Sequence, residues 1–236
     1  MTPDEIDAGP GAVASVPAAL AATAARLGDH EAIVDGDVRL TWRELAGRVD
    51  AAARAFVAAG LEPGDRVGIW APNCREWVVA AIGLQAAGGV VVPLNTRYKG
   101  TEAAWILDRS RARVLVTVDG FLGNGYLSML AGHDLPHLER TIVLRDPAPQ
   151  GAVTWDAFMA SGADVDPGEV DTRLGALTPD TVNDIIFTSG TTGHPKGVLT
   201  THGQVLRGYR TWADLAGLSE ADRYLIVNPF FHSFGY

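Results

Sequence analysis

Between Arg66 and Val118 the sequence alternates short apolar runs with stretches patterned as helices. "PGDRVGIW" reads as a turn into a strand, "GVVVPLN" as a second strand and "RVLVTV" as a third. Asn73 is placed to cap a helix running to about Ala87, and "TEAAWILDRS" supplies another. A strand that is apolar on both faces must be covered on both faces, and strands joined through helices run parallel. The alternation therefore commits the chain to βαβ units: an α/β fold with a mostly parallel sheet flanked by helices.

The flanking segments are read in the same way. Ser15 caps a helix with Pro17 in its first turn, ending at Gly28. "AIVDGDVRLT" carries an Asp-Gly turn, which predicts a hairpin over Ala32–Leu40. Thr41 and Glu44 form a capping box that opens a helix closed by Gly60. Phe121–Gly168 is less regular, with a strand at "TIVLR" and a short helix from Thr154. The acidic, proline-bearing "ADVDPGEVDTRLGALTPDTVN" reads as a surface linker. "DIIFT" and "GVLTT" read as strands, Gln204–Leu215 as a helix and "RYLIVN" as a further strand, while residues 1–14 are expected to be disordered.

Composition excludes several functions. The net charge of -9 over 236 residues opposes non-specific nucleic-acid binding, which needs clustered Lys and Arg. The single cysteine, Cys74, allows no disulfide within the chain and no cysteine zinc site; a reducing, cytoplasmic setting is the expectation. Cys74 itself reads as a small buried residue. "MTPDEIDAGPGAV" has acids where a secretory signal needs bases, and the most apolar stretch is interrupted by Gln85 and by Gly88-Gly89. The six histidines form no metal spacing such as H-E-x-x-H. Trp42, Trp77 and Trp105 sit on amphipathic helices, where tryptophan is more often core than ligand platform.

The chemistry-bearing stretch is "DIIFTSGTTGHPKGVLTTHG". Between Thr188 and Gly197 stand the hydroxyls of Thr188, Ser189, Thr191 and Thr192, the glycines Gly190, Gly193 and Gly197, and the ammonium of Lys196. Glycines let successive N–H groups converge on an anion, hydroxyls add rotatable donors, and lysine adds a mobile charge. The combination suits a wrap around a polyphosphate. It is not a Walker A loop, since the fifth residue after Gly190 is Pro195 and Lys196 is followed by Gly197.

"FTSGTTGHPKGV" closely resembles the phosphate-binding signature of the adenylate-forming enzymes, which include acyl-CoA synthetases, luciferases and peptide-synthetase adenylation domains. "NPFFHSFGY" is similar to that family's next motif, an aromatic-histidine segment beside the bound acid. "PNCREWVVAAIGLQAAGGVVVPLNTRY", "FLGNGY" and "IVNPFFHSFGY" resemble in particular actinobacterial CoA ligases for fatty acids or a steroid-ring propanoate. The resemblance implies a carboxylic acid activated by ATP as an acyl-adenylate, then passed to coenzyme A. It implies that Lys196 neutralises the departing phosphates and that Thr188, Ser189, Gly190, Thr191, Thr192 and Gly193 grip them. Magnesium would accompany the phosphates, with Thr191 beside it, and His232 would orient the acid. Residues 15–236 would then be an incomplete N-terminal AMP-binding domain, without the family's later adenine, ribose and hinge segments, and inactive alone. Two other readings stand beside it. One is an amino-acid-activating domain and the other a non-catalytic scaffold; for His232 the alternative to orienting the acid is a hydrogen-bonded core histidine.

Overall fold

The structure, a computed structural model, describes residues 13–145, 147–188 and 195–235. The three apolar runs form β3 (Arg66–Trp70), β4 (Val90–Pro93) and β5 (Ala112–Thr117), paired in parallel within a seven-stranded sheet. Helices α3 (Arg75–Ala86) and α4 (Gly100–Ser110) make the two crossovers. Every residue of β4 is buried, as a strand between two covering layers must be. At Gly68 in β3, an added Cβ would lie 2.7 Å from a methyl of Leu107 in α4, so close approach demands glycine there.

Strands β6 (Arg140–Val143) and β7 (Val153–Thr154) extend the sheet beyond β5. On the other side β8 (Val182–Thr188) joins β4, and β9 (Lys196–Thr201) joins β8, giving the order β7-β6-β5-β3-β4-β8-β9. Among the described residues of this sheet, only the β8–β9 pair is antiparallel. The expected mostly parallel α/β sheet is therefore present.

Ahead of the sheet, α1 (Val16–Leu27) starts with Ser15 Oγ accepting from Ala18 N. The hairpin of β1 (Glu31–Asp35) and β2 (Val38–Thr41) turns at Gly36, whose φ is 61°. Helix α2 (Trp42–Ala58) opens with the predicted capping box: Glu44 N donates to Thr41 Oγ1 and Thr41 N donates to Glu44 Oε2. Helices α2 and α3 touch backbone to backbone at Gly83, where a Cβ would meet Ala52 Cβ at 2.6 Å. A short helix α5 (Tyr126–Leu130) closes the core by stacking Tyr126 on Trp70 at a centroid distance of 4.1 Å. The phenol of Tyr126 donates to Thr96 O at 2.8 Å, so its polar tip is satisfied inside the core.

Three expectations are corrected. The stretch read as a linker contains α7 (Pro167–Gly175), after α6 (Trp155–Ser161). Asp166 caps α7 by accepting from Gly168 N, Pro167 stands at N1, Val170 is buried, and Arg173 donates to Leu61 O at 2.6 Å. An acidic surface had masked a standard helix start. "RYLIVN" is not a strand: residues 223–228 pair with no ladder among the described residues, and Tyr224, Leu225, Ile226 and Val227 are exposed. Strand propensity forms a strand only where a neighbouring strand supplies hydrogen bonds. Finally, Asn73 does not cap α3; the cap position is Cys74, with no side-chain bond. The expected disorder of residues 1–14 falls mostly on residues 1–12, outside the described residues.

Candidate functional site

The glycine-hydroxyl string is mounted on the β8–β9 hairpin. The ladder runs from Val182↔Thr201 to Thr188↔Lys196, so Thr188 and Lys196 face each other at its open end. Thr188 Oγ1 donates to Lys196 O at 3.5 Å. Ser189, Gly190, Thr191, Thr192 and Gly193, the other residues assigned to phosphate binding, lie outside the described residues. The Lys196 side chain is exposed and forms no ion pair among the described residues. Gly197 has a different role from the turn expected of it. It lies opposite Phe187, and a Cβ there would come within 2.9 Å of Ile185 and 3.1 Å of the Phe187 ring. Phe187 in turn packs edge-on against Trp105 of α4, tying the hairpin to the layer covering the sheet.

Beneath the hairpin, Asp184 is fully buried; the Thr200 hydroxyl donates to it and Asn183 Nδ2 donates at 2.7 Å. Burial outweighs these bonds and raises its carboxyl above the ordinary range. Helix α8 (His202–Ala216) follows β9 directly, two residues earlier than expected, because Thr201 and Gln204 make a second capping box. His202 is 1% exposed, and its Nδ1 accepts from Val16 N at 3.3 Å. Burial drives its pKa down to about 4, so it is a neutral structural imidazole.

The aromatic-histidine segment curls into consecutive turns after Asn228. His232 N donates to Pro229 O at 3.0 Å and Gly235 N donates to His232 O at 2.7 Å. His232 is exposed among the described residues, and its Nδ1 accepts from Phe234 N at 3.2 Å. Asn73 reaches this segment from the start of α3. Its Nδ2 donates to Asn228 O at 2.9 Å, and Phe230 N donates to its Oδ1 at 2.7 Å. One α-helical turn beyond Asn73, Trp77 packs on Phe230 with ring centroids 5.0 Å apart. Sequence reasoning missed Asn73 in this role, since its partners lie 155 and 157 positions away.

The amide that Asn73 does not give to α3 is replaced from the hairpin. Asp35 Oδ2 accepts from Arg75 N at 3.1 Å and from Arg75 Nη1 at 3.3 Å, and Arg145 also donates to it. Arg145 bonds Glu76 at 2.7 Å, completing a network of two guanidinium and two carboxylate groups. Burial alone would raise the Asp35 carboxyl, but the Arg75 N–H and the two arginines hold it below the ordinary value. Cys74, within this network, is buried and its thiol is pushed up to about 11 by burial, so it is an inert small residue as expected.

An apolar cleft of about 540 Å3 opens between α1, the β1–β2 hairpin, α3 and α8. Trp42, Trp77, Trp212, Phe230 and Phe234 give it an aromatic lining. Trp212 of α8 meets Phe234 edge-on at 5.5 Å, so both aromatic residues flanking the His232 turn border this space. Neither Lys196 nor His232 lines it. Among the described residues there is no cluster of three acidic, His or Cys side chains able to hold a metal, and no helix is long and apolar enough to cross a membrane.

The sequence profile of AMP-binding enzymes matches residues 20–236. The chain belongs to the AMP-binding enzyme family. It is 47% identical over 225 residues to a (methyl-dioxo-octahydro-indenyl)propanoyl:CoA ligase of Mycobacterium tuberculosis, covering 94% of this chain and 43% of that protein. A ligase of the same name from Rhodococcus jostii is 42% identical, with 94% and 44% covered. The chain thus spans under half the length of these curated relatives. Among solved structures, the inhibitor-bound N-terminal domain of FACL13 from Mycobacterium tuberculosis matches with a TM-score of 0.69 at 26% identity, covering 93% of this chain and 52% of that one. The fold alone is shared with an anthranilate CoA ligase in complex with anthranoyl-AMP, with a TM-score of 0.80 at 23% identity and coverage of 93% and 41%.

Proposed function

We propose that the protein activates a carboxylic acid with ATP to an acyl-adenylate and transfers the acyl group to coenzyme A. The observation that carries this reading is the hairpin. A string of hydroxyls and glycines joins two strands whose last pair is Thr188 and Lys196, so the free ammonium stands where the loop returns to the sheet. An exposed lysine with no described carboxylate partner and a run of rotatable hydroxyls form a donor set suited to polyphosphate. Lys196 would draw charge from the departing pyrophosphate, and Thr188, Ser189, Thr191, Thr192 and the amides of Gly190 and Gly193 would hold it. Magnesium, carried by the phosphates near Thr191, would supply further charge neutralisation.

His232 would orient the acid. Because Phe234 N donates to Nδ1, the neutral ring carries its proton on Nε2, and that N–H is left to donate to a carboxylate oxygen. The residues on either side of this turn, Phe230 and Phe234, border the apolar cleft, which favours an acid with a bulky apolar body. The names of the two ligases from Mycobacterium tuberculosis and Rhodococcus jostii support a bicyclic propanoate over a straight fatty acid.

The test is acid-dependent ATP–pyrophosphate exchange by the protein as its host makes it, across a panel of bicyclic propanoates, fatty acids and amino acids. Lys196→Ala is expected to lower exchange by about a hundredfold or more while the melting temperature stays the same. An undiminished rate in that variant would refute the role of the hairpin. A preference for amino acids would refute the substrate class.

A further inference from the structure

We infer that Asn73 is a positioning residue for the acid site: its side-chain amide fixes the backbone entering the His232 turn. This rests on the reading of His232 as the group that meets the acid. Residues 223–228 have no strand partner among the described residues, so their backbone has no ladder to set its path toward the turn. The Asn73 amide takes the place of that ladder. Its Nδ2 donates to Asn228 O at 2.9 Å while its Oδ1 accepts from Phe230 N at 2.7 Å, spanning Pro229 with a donor and an acceptor from one rigid plane. Pro229 O then accepts from His232 N at 3.0 Å, so the histidine turn is built directly on the clamped stretch.

The chemistry of the position is selective. Asparagine is a strong helix-capping residue, yet here it stands one residue before the cap and its amide turns away from its own helix. The α3 N-terminus is served instead by Asp35, which accepts from Arg75 N at 3.1 Å. A residue whose only role was to stabilise α3 would cap it. The amide is committed to the segment after residue 227, and Trp77 adds a second hold by packing on Phe230 at 5.0 Å. Asn73 and Trp77 form one platform on α3, and the Asp35, Arg75, Glu76 and Arg145 network fixes the end of the helix that carries it.

The experiment compares wild type, Asn73→Ala and Asn73→Asp in the protein as its host makes it, by steady-state kinetics and by amide exchange of the peptide covering residues 228–235. Asn73→Ala removes both bonds, each worth about threefold, so KM for the acid should rise by about tenfold. KM for ATP and the melting temperature should stay near wild type. Amide exchange across 228–235 should quicken by about the same factor in Asn73→Ala, and by less in Asn73→Asp, which keeps the acceptor for Phe230 N. The inference is overturned if acid KM and amide exchange are both unchanged. It is equally overturned if both KM values and the melting temperature shift together, which would mark a purely structural clamp. If wild type shows no acid-dependent exchange, the proposed function fails; protection of 228–235 that is unchanged in Asn73→Ala then overturns the clamp as well, and loss of protection upholds it.

Discussion

Replacing His202 with asparagine should flatten the acid side of the stability profile. His202 is buried at the start of α8, and burial takes its pKa from an ordinary 6.5 to about 4. A base whose folded pKa is depressed is protonated first in the unfolded chain. Stability from this group is therefore intact above about pH 6.5 and is lost as pH falls toward 4. Each unit is worth about 1.4 kcal/mol, so the whole span amounts to roughly 3 kcal/mol, of which about 2 kcal/mol is gone by about pH 5. His202→Asn keeps an acceptor near the Nδ1 position for Val16 N but cannot titrate. The carboxyls of Asp35 and Glu44 are lowered from 3.8 and 4.5, so their stabilisation is lost only at lower pH. Asp184, raised by burial, acts in the opposite sense but is common to both proteins. Urea unfolding at about pH 7 and about pH 5 should give wild type a larger drop than the variant by about 2 kcal/mol. Parallel profiles would refute the reasoning, because a buried neutral imidazole cannot be lost without changing the pH dependence.

Gly83→Ala should destabilise the fold by about 1–3 kcal/mol, read as a lower denaturation midpoint, because its Cβ would press on Ala52 and the Val49 carbonyl. Asp35→Ala should cost about 1–2 kcal/mol, since it strips a bond from the α3 N-terminus and leaves Arg75 and Arg145 with only Glu76 as counter-charge in a half-exposed network. Recovery of full stability by Asp35→Asn would show that charge is irrelevant there. His232→Ala should raise KM for the acid by about tenfold with KM for ATP unchanged, measured in the same exchange assay as Lys196→Ala.

The sheet was legible because its strands are continuous apolar runs with helical spacers, a pattern that leaves no other architecture for β3, β4 and β5. The caps at Ser15 and Thr41 were legible because they are local, made with groups three residues away. Asn73 misled for the converse reason. Its side chain has the chemistry of a cap but is used by a segment that sequence spacing does not bring near it. α7 was hidden under an acidic surface although Asp166-Pro167 marked its start. The run at 223–228 has strand residues but no described partner, so propensity without pairing gave the wrong element. For the site, the string from Thr188 to Gly197 pointed to a phosphate loop by its composition and order, whereas the need for Gly197 opposite Phe187 required the register.

The sheet order has a consequence for how the chain assembles. β3, β4, β5 and β6 are contiguous in sequence and can zip together as they are made, but β4 has its second neighbour only in β8, through the pairing of Val91 with Asp184. Until that late segment arrives, the most apolar strand of the sheet is an open edge with unpaired backbone groups. Docking β8, already folded against β9, is thus a slow, long-range closing step. During synthesis the nascent chain would carry a sticky edge through some ninety residues of elongation, the interval in which misassembly and chaperone capture compete with folding.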